Sequence, residues 1–117
     1  MTLRVETQIA GDVFILHCTG RIVYGDECAI FRERVVNMLA GTPKFIVNLK
    51  GVEYVDSEGL GTLVGLLVSA RNRRGELKLA SPRKRVRDLL RRTNLDGVFS
   101  VYENNDEAVA ALRKQVA

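Results

Sequence analysis

The residues best suited to chemistry stand together in mid-chain, in the run Val52-Glu53-Tyr54-Val55-Asp56-Ser57-Glu58-Gly59-Leu60-Gly61. Two carboxylates flank a hydroxyl, and two glycines follow at once. Asp56 or Ser57 can cap a helix by accepting one of its unpaired N–H groups. Gly59 and Gly61 strip side chains from the first helical turn at roughly 1 kcal/mol each relative to Ala. Two compensations stay open on spacing alone: close approach by another chain or a phosphate, or close packing of the helix on a sheet. The pattern is neither GxxxxGK[ST] nor a dinucleotide fingerprint, so nucleotide catalysis has little support. Gly61-Thr62-Leu63-Val64-Gly65 has the GxxxG spacing, which in a soluble helix points to packing.

Chemistry elsewhere is sparse. A lone His17 inside an apolar strand reads as structural, and no Ser-His-Asp or Cys-His arrangement can be nominated. Cys18 and Cys28 form neither a CxxC pair nor a disulfide framework, so no metal site, no cofactor and no catalysis are expected, and a reducing cytosol is the expected setting.

The elements that must position this run follow from periodicity. Leu3 to Ile9 and Val13 to Thr19 read as strands joined through Ala10-Gly11-Asp12, a hairpin. Asp26 can cap a helix to about Ala40, with Phe31, Val35, Met38 and Leu39 on one face, ended by Gly41 and Pro43. Lys44 to Lys50 alternates, with Ile46 opposite Phe45, Val47 and Leu49, as in a strand covered on both faces. A helix from about Ser57 to Arg73 carries the stripe Leu60, Leu63, Val64, Leu67 and Val68. The Arg74-Gly75 corner leads to the strand Glu76 to Ala80, with Leu77 and Leu79 inward. Ser81 and Pro82 then read as N-cap and N1 of a helix to about Thr93, its apolar side Val86, Leu89 and Leu90. Asp96-Gly97 turns into the strand Val98 to Tyr102, and Asn104 or Asn105 caps a last helix with Asp106 and Glu107 at its positive end and Arg113 and Lys114 at its negative end. Strands alternating with helices imply parallel pairing beside the hairpin. The expected fold class is α/β (α+β): a single domain over 1–117, with a mixed sheet of about five strands and four helices.

Composition agrees. The chain has 117 residues, 46% hydrophobic and 27% charged, enough for one core and too few for two. Its longest charge-free run, Gly59 to Ala70, falls short of the roughly 20 residues that span a bilayer, so a soluble chain without a membrane span is expected. The net charge is +4. Arg71 to Arg92 alone holds ten basic and two acidic residues, a net of +8 that leaves −4 for the remainder. Arg83, Lys84 and Arg85 are expected in the first turn after Pro82, where cations oppose the helix dipole. With Arg87 they form a candidate patch for an anionic partner, the plainer reading being a solvated basic face. Nucleic acid is the rival from another class, but no aromatic residue stands between Tyr54 and Phe99 to stack bases.

The run Val47-Asn48-Leu49-Lys50-Gly51-Val52-Glu53-Tyr54-Val55-Asp56-Ser57-Glu58-Gly59-Leu60-Gly61 resembles the STAS domain family, shared by anti-sigma factor antagonists and the tails of sulfate transporters. The likeness spans nearly the whole chain, including Gly75-Glu76-Leu77-Lys78-Leu79, Ser81-Pro82, Asn94-Leu95 and Val98-Phe99. It implies the antagonist branch and partner switching. The unphosphorylated antagonist would bind an anti-sigma factor that is also a serine kinase of the GHKL ATPase type, freeing the sigma factor for transcription, and phosphorylation of the loop would end that binding. Asp56, Ser57, Glu58 and Gly59 would be the switch loop, with Leu60 and Gly61 shaping the partner surface.

One position departs from the pattern. Glu58 stands where the phosphorylated Ser or Thr often precedes the glycine, and Glu accepts no phosphate. Either Glu58 is a fixed mimic of the phosphorylated state, or the partner surface is adapted to an acid and switching is lost or moved to Ser57. Glu carries one charge where phosphoserine carries about −1.5 to −2. The alternative within the fold is a non-switching subunit of a stressosome-like or lipid-transport ATPase complex.

Overall fold

The hairpin at the start of the chain forms as its turn chemistry requires. In a computed structural model that describes residues 3–39 and 44–116, β1 (Leu3–Ala10) pairs antiparallel with β2 (Val13–Ile22) across a turn in which Gly11 takes φ 64°. Beyond it the chain alternates: α1 (Asp26–Val36), β3 (Lys44–Val55), α2 (Ser57–Asn72), β4 (Glu76–Ala80), α3 (Lys84–Arg92), a 3-10 turn (Leu95–Gly97), β5 (Val101–Tyr102) and α4 (Asn105–Val116). The five strands lie in sequence order, and all pairings after the first are parallel. The fold is the expected mixed-sheet α/β architecture.

The sheet is covered on both faces, which is why its central strand is apolar on both sides. Phe45, Val47 and Leu49 of β3 join the larger core with Phe31 and Val35 of α1, Leu63 and Leu67 of α2, and Val86 and Leu90 of α3. Ile46 turns to the other face and meets Val13, Ile15 and Ala80 under Ala108 and Leu112 of α4. Three helices therefore hold one face and α4 the other.

Four expectations need correction. Both long strands outrun their expected ends, because the glycines there mark bulges: the β2–β3 register shifts between His17 and Thr19 and again between Gly20 and Arg21. A Cβ on Gly51 would lie 2.8 Å from the Cys18 carbonyl oxygen, so the two strands touch where a side chain has no room. Next, Asp26 does not cap α1; Gly25, at φ 142°, holds the cap position, and the helix stops at Val36 rather than near Ala40. The stop expected from Gly41 and Pro43 lies outside the described residues.

Ser81 and Pro82 are not N-cap and N1 either. Ser81 adopts the left-handed conformation, φ 56°, and α3 starts two residues later with Arg83 at its cap. The Ser81 hydroxyl and N–H are already engaged, donating to the carbonyls of Glu103 and Tyr102. Last, Asp96-Gly97 belongs to the 3-10 turn and β5 shrinks to two residues, since Val98 and Phe99 continue the turn by donating to the Leu95 carbonyl. At α4 the open choice resolves to Asn104, whose side chain accepts from Glu107 N–H at 2.9 Å and donates to its carboxylate.

Candidate functional site

Because β3 runs to Val55, only Asp56 separates strand from helix, and its carboxylate does two jobs. Oδ1 accepts from Gly59 N–H at 2.8 Å, capping α2; Oδ2 accepts from Tyr24 N–H at 3.0 Å, fastening the β2–α1 connection to the same point. The Asp56 N–H in turn donates to the Ile22 carbonyl. Asp56, not Ser57, is thus the cap.

Gly59 decides between the two readings of the glycines in favour of packing. A Cβ there would sit 1.9 Å from the Ile22 carbonyl oxygen, so only glycine lets α2 settle against the end of β2. Gly61 is the opposite case, exposed with nothing within 4 Å of a Cβ. Gly65 is equally open, which corrects the expectation that the GxxxG spacing serves packing within the chain. The two glycines, one turn apart, bare the backbone on one side of α2, and Val68, 51% exposed, follows them a turn later. Leu60 does not shape that surface: its side chain is 7% exposed and lies in the core.

Ser57 and Glu58 are both exposed in the first turn of α2, where the helix dipole favours negative charge. With Asp56 supplying the cap, the Ser57 hydroxyl makes no hydrogen bond among the described residues. Glu58 reaches a groove of about 330 Å³ between the starts of α1 and α2, lined also by Tyr24, Asp26, Cys28, Arg32 and Thr62. Thr62 ties the two helices together, its hydroxyl 3.2 Å from Cys28 Sγ and bonded to the Glu58 carbonyl. Sequence reasoning missed Tyr24, at 79% the most exposed large apolar side chain among the described residues. Its signal was an aromatic beside a turn glycine, Tyr24-Gly25, with no periodic element to bury it.

The basic segment is spread along α3. Arg71, Arg73 and Arg74 stand at and just beyond the end of α2, before β4, and Arg83, Lys84 and Arg85 at the start of α3, past β4, roughly 16 Å of strand away, while Arg87 and Arg91 of α3 line one groove with Arg71. Lys78 is buried, 3% exposed, with its ammonium 5.9 Å from the Tyr102 ring centroid, and desolvation lowers its pKa. Lys84 pairs with Asp88 at 2.9 Å and Arg87 with Glu103 at 3.3 Å. Arg85 stacks over the Tyr54 ring at 5.2 Å.

The two thiols are sequestered. Burial pushes Cys18 up to about 12, leaving it protonated through the neutral range. Among the described residues no group of three or more His, Cys, Asp or Glu could hold a metal, and no helix is long and apolar enough to cross a membrane.

A strand order with one antiparallel hairpin followed by parallel units, and a capped acidic helix start at the carboxyl end of β3, define the class: the STAS domain model matches residues 4–108, and the chain belongs to that family. Among known proteins, a relative from Thermotoga maritima, described as a candidate anti-sigma factor antagonist, is 35% identical over 75 residues, 64% of this chain and 66% of that relative. The match spans just under two thirds of the relative's length. A crystal structure of a protein of the same description and organism superposes with a TM-score of 0.81 at 28% identity, covering 93% of this chain and 94% of that one. The Bacillus cell fate determinant SpoIIAA, solved in its phosphorylated form, shares the fold at a TM-score of 0.66 and 18% identity, over 94% of this chain and 98% of that one.

Proposed function

We infer that this domain is an anti-sigma factor antagonist that works by binding a protein partner, and that Ser57 is the residue whose phosphorylation would end the binding. The observation that carries the reading is the division of labour at the start of α2. Asp56 caps the helix and Gly59 packs it, which leaves the Ser57 hydroxyl exposed and unbonded at the dipole's positive end. A phosphate added there would be stabilised by the helix yet would set about two negative charges beside the Glu58 carboxylate. A partner seated on this acidic corner would then face about two more negative charges than before.

The description of the Thermotoga relative supports the antagonist role, and the existence of a phosphorylated form of the Bacillus protein supports a switch on this fold. The bare side of α2 supports protein binding, because Gly61 and Gly65 allow another helix or loop to approach the backbone. The expected partner is an anti-sigma factor with a GHKL-type kinase domain. Capture from native lysate on the immobilised chain, with the bound protein identified by mass spectrometry, tests this directly. Recovery of such a kinase by wild type and its loss with Gly61→Arg is the expected result. Recovery of a transporter ATPase or stressosome subunit instead would replace switching by the scaffold reading.

A further inference from the structure

A second site lies beside the start of α4, away from the groove at Glu58. An open cleft of about 690 Å³ lies over the bulged middle of β2 and β3, just beyond the carboxyl end of β4, and is closed on one side by the start of α4. It exists because Gly51 allows β3 to bulge against Cys18 and Thr19, and because Ser81, in its left-handed conformation, turns the chain away from β4. Ligands of parallel α/β sheets are met beyond the carboxyl ends of strands, here that of β4.

Its polar groups are held in place. Asn48 on β3, 8% exposed, donates to the Asn105 side chain at 2.8 Å and accepts from Lys50 N–H at 2.9 Å, which fixes the cleft floor. Arg83 Nε donates to the Lys50 carbonyl at 2.8 Å, pinning the guanidinium to the wall. Its two Nη groups and the Lys50 ammonium have no acceptor among the described residues, and neither cation has a carboxylate within ion-pair distance. Arg83 thus stands where the dipole of α3 disfavours a cation and where no acid among the described residues pairs with it. Asp106, on the opposite wall in the first turn of α4, is a free acceptor.

We propose that this cleft binds a small phosphomonoester bearing neighbouring hydroxyl groups, its phosphate between Lys50 and the Arg83 fork and its hydroxyls toward Asp106 and Asn105. Two unpaired cations supply charge for a dianion, and the guanidinium edge supplies paired donors at the spacing of phosphate oxygens. The single carboxylate across the cleft repels a second anionic group but accepts from hydroxyls, which favours a polyol phosphate over a polyanion. Nothing in this site depends on partner switching at Ser57.

The test is titration of the whole chain, at constant ionic strength, with glycerol 3-phosphate and separately with inorganic phosphate, followed residue by residue through backbone amide NMR shifts. Saturable shifts confined to Lys50, Arg83, Asn105 and their neighbours are expected in the millimolar range, with inorganic phosphate at least threefold weaker. Lys50→Gln, an exposed position whose side chain bonds to nothing, weakens binding at least fivefold, and Arg83→Gln does so to a similar degree. Shifts that never saturate, that spread over surface arginines such as Arg32 and Arg74, or that ignore Lys50→Gln would overturn the site. Inorganic phosphate binding as tightly as glycerol 3-phosphate would overturn its ligand class.

Discussion

Two helices begin at the carboxyl ends of neighbouring parallel strands, one after β3 and one after β4, and they are built in opposite ways. At α2 every local device agrees: an aspartate cap, an acid in the first turn, and a glycine where the backbone must touch Ile22. At α3 the devices are missing or reversed. No side chain caps it, the preceding Ser81 is in a conformation that residues other than glycine rarely adopt, and Arg83, Lys84 and Arg85 oppose its dipole. Residues that satisfy local physics carry little information about partners, because the fold alone accounts for them. Asp56 and Gly59 belong to that group. Ser57, Gly61 and Arg83 do not, since an unbonded hydroxyl, a bare helical glycine and an uncompensated cation leave the chain no more stable.

Substitutions separate the two groups by size and sign of effect. Gly59→Ala drives a Cβ into the Ile22 carbonyl and should cost about 3 kcal/mol or more, read as a lowered denaturation midpoint. A near-neutral result would mean that α2 is not seated against β2. Asp56→Ala removes the α2 cap and the bond to Tyr24 N–H together, an expected loss of about 1–2 kcal/mol, with Asp56→Asn recovering part of it. Gly61→Ala reverses the sign. With open space around the new methyl group, it should raise stability by about 0.5–1 kcal/mol while weakening capture of the partner. Stabilisation with undiminished capture would remove the bare side of α2 from the partner surface. Arg85→Gln closes the series at α3. Loss of the stack on Tyr54 offsets relief of the dipole, so the midpoint should stay within about 0.5 kcal/mol of wild type.

The same contrast explains what was legible in the sequence. The acidic corner, the four helices and both faces of β3 follow from spacing, because local preference and tertiary packing agree there. Ser81-Pro82 reads as a helix start by every local rule and is not one. Tertiary hydrogen bonds from Ser81 to Tyr102 and Glu103 hold that residue in the left-handed region and delay α3 to Lys84. The expected strands stop at Thr19 and Lys50, yet both run on through bulges at Gly20 and Gly51, since pairing with a neighbouring strand is invisible in one strand's own pattern. The family resemblance assigns Leu60 to the partner surface, yet its place in the apolar stripe of α2 already puts it in the core. The +8 segment conceals how its charges are used, since sequence order does not show that Lys84 and Arg87 are paired with Asp88 and Glu103 and that Lys78 is buried.

The claim on which the functional reading turns is that Ser57 accepts phosphate despite the acid at position 58. Wild type and Glu58→Ser, each incubated with the cognate kinase and ATP and then mapped by mass spectrometry, decide it. Phosphate on Ser57 of the wild-type chain, with loss of kinase binding after labelling, is the expected result. An unlabelled wild type beside a Glu58→Ser chain labelled at residue 58 would contradict it, and would make Glu58 a fixed acid that holds the domain in one state.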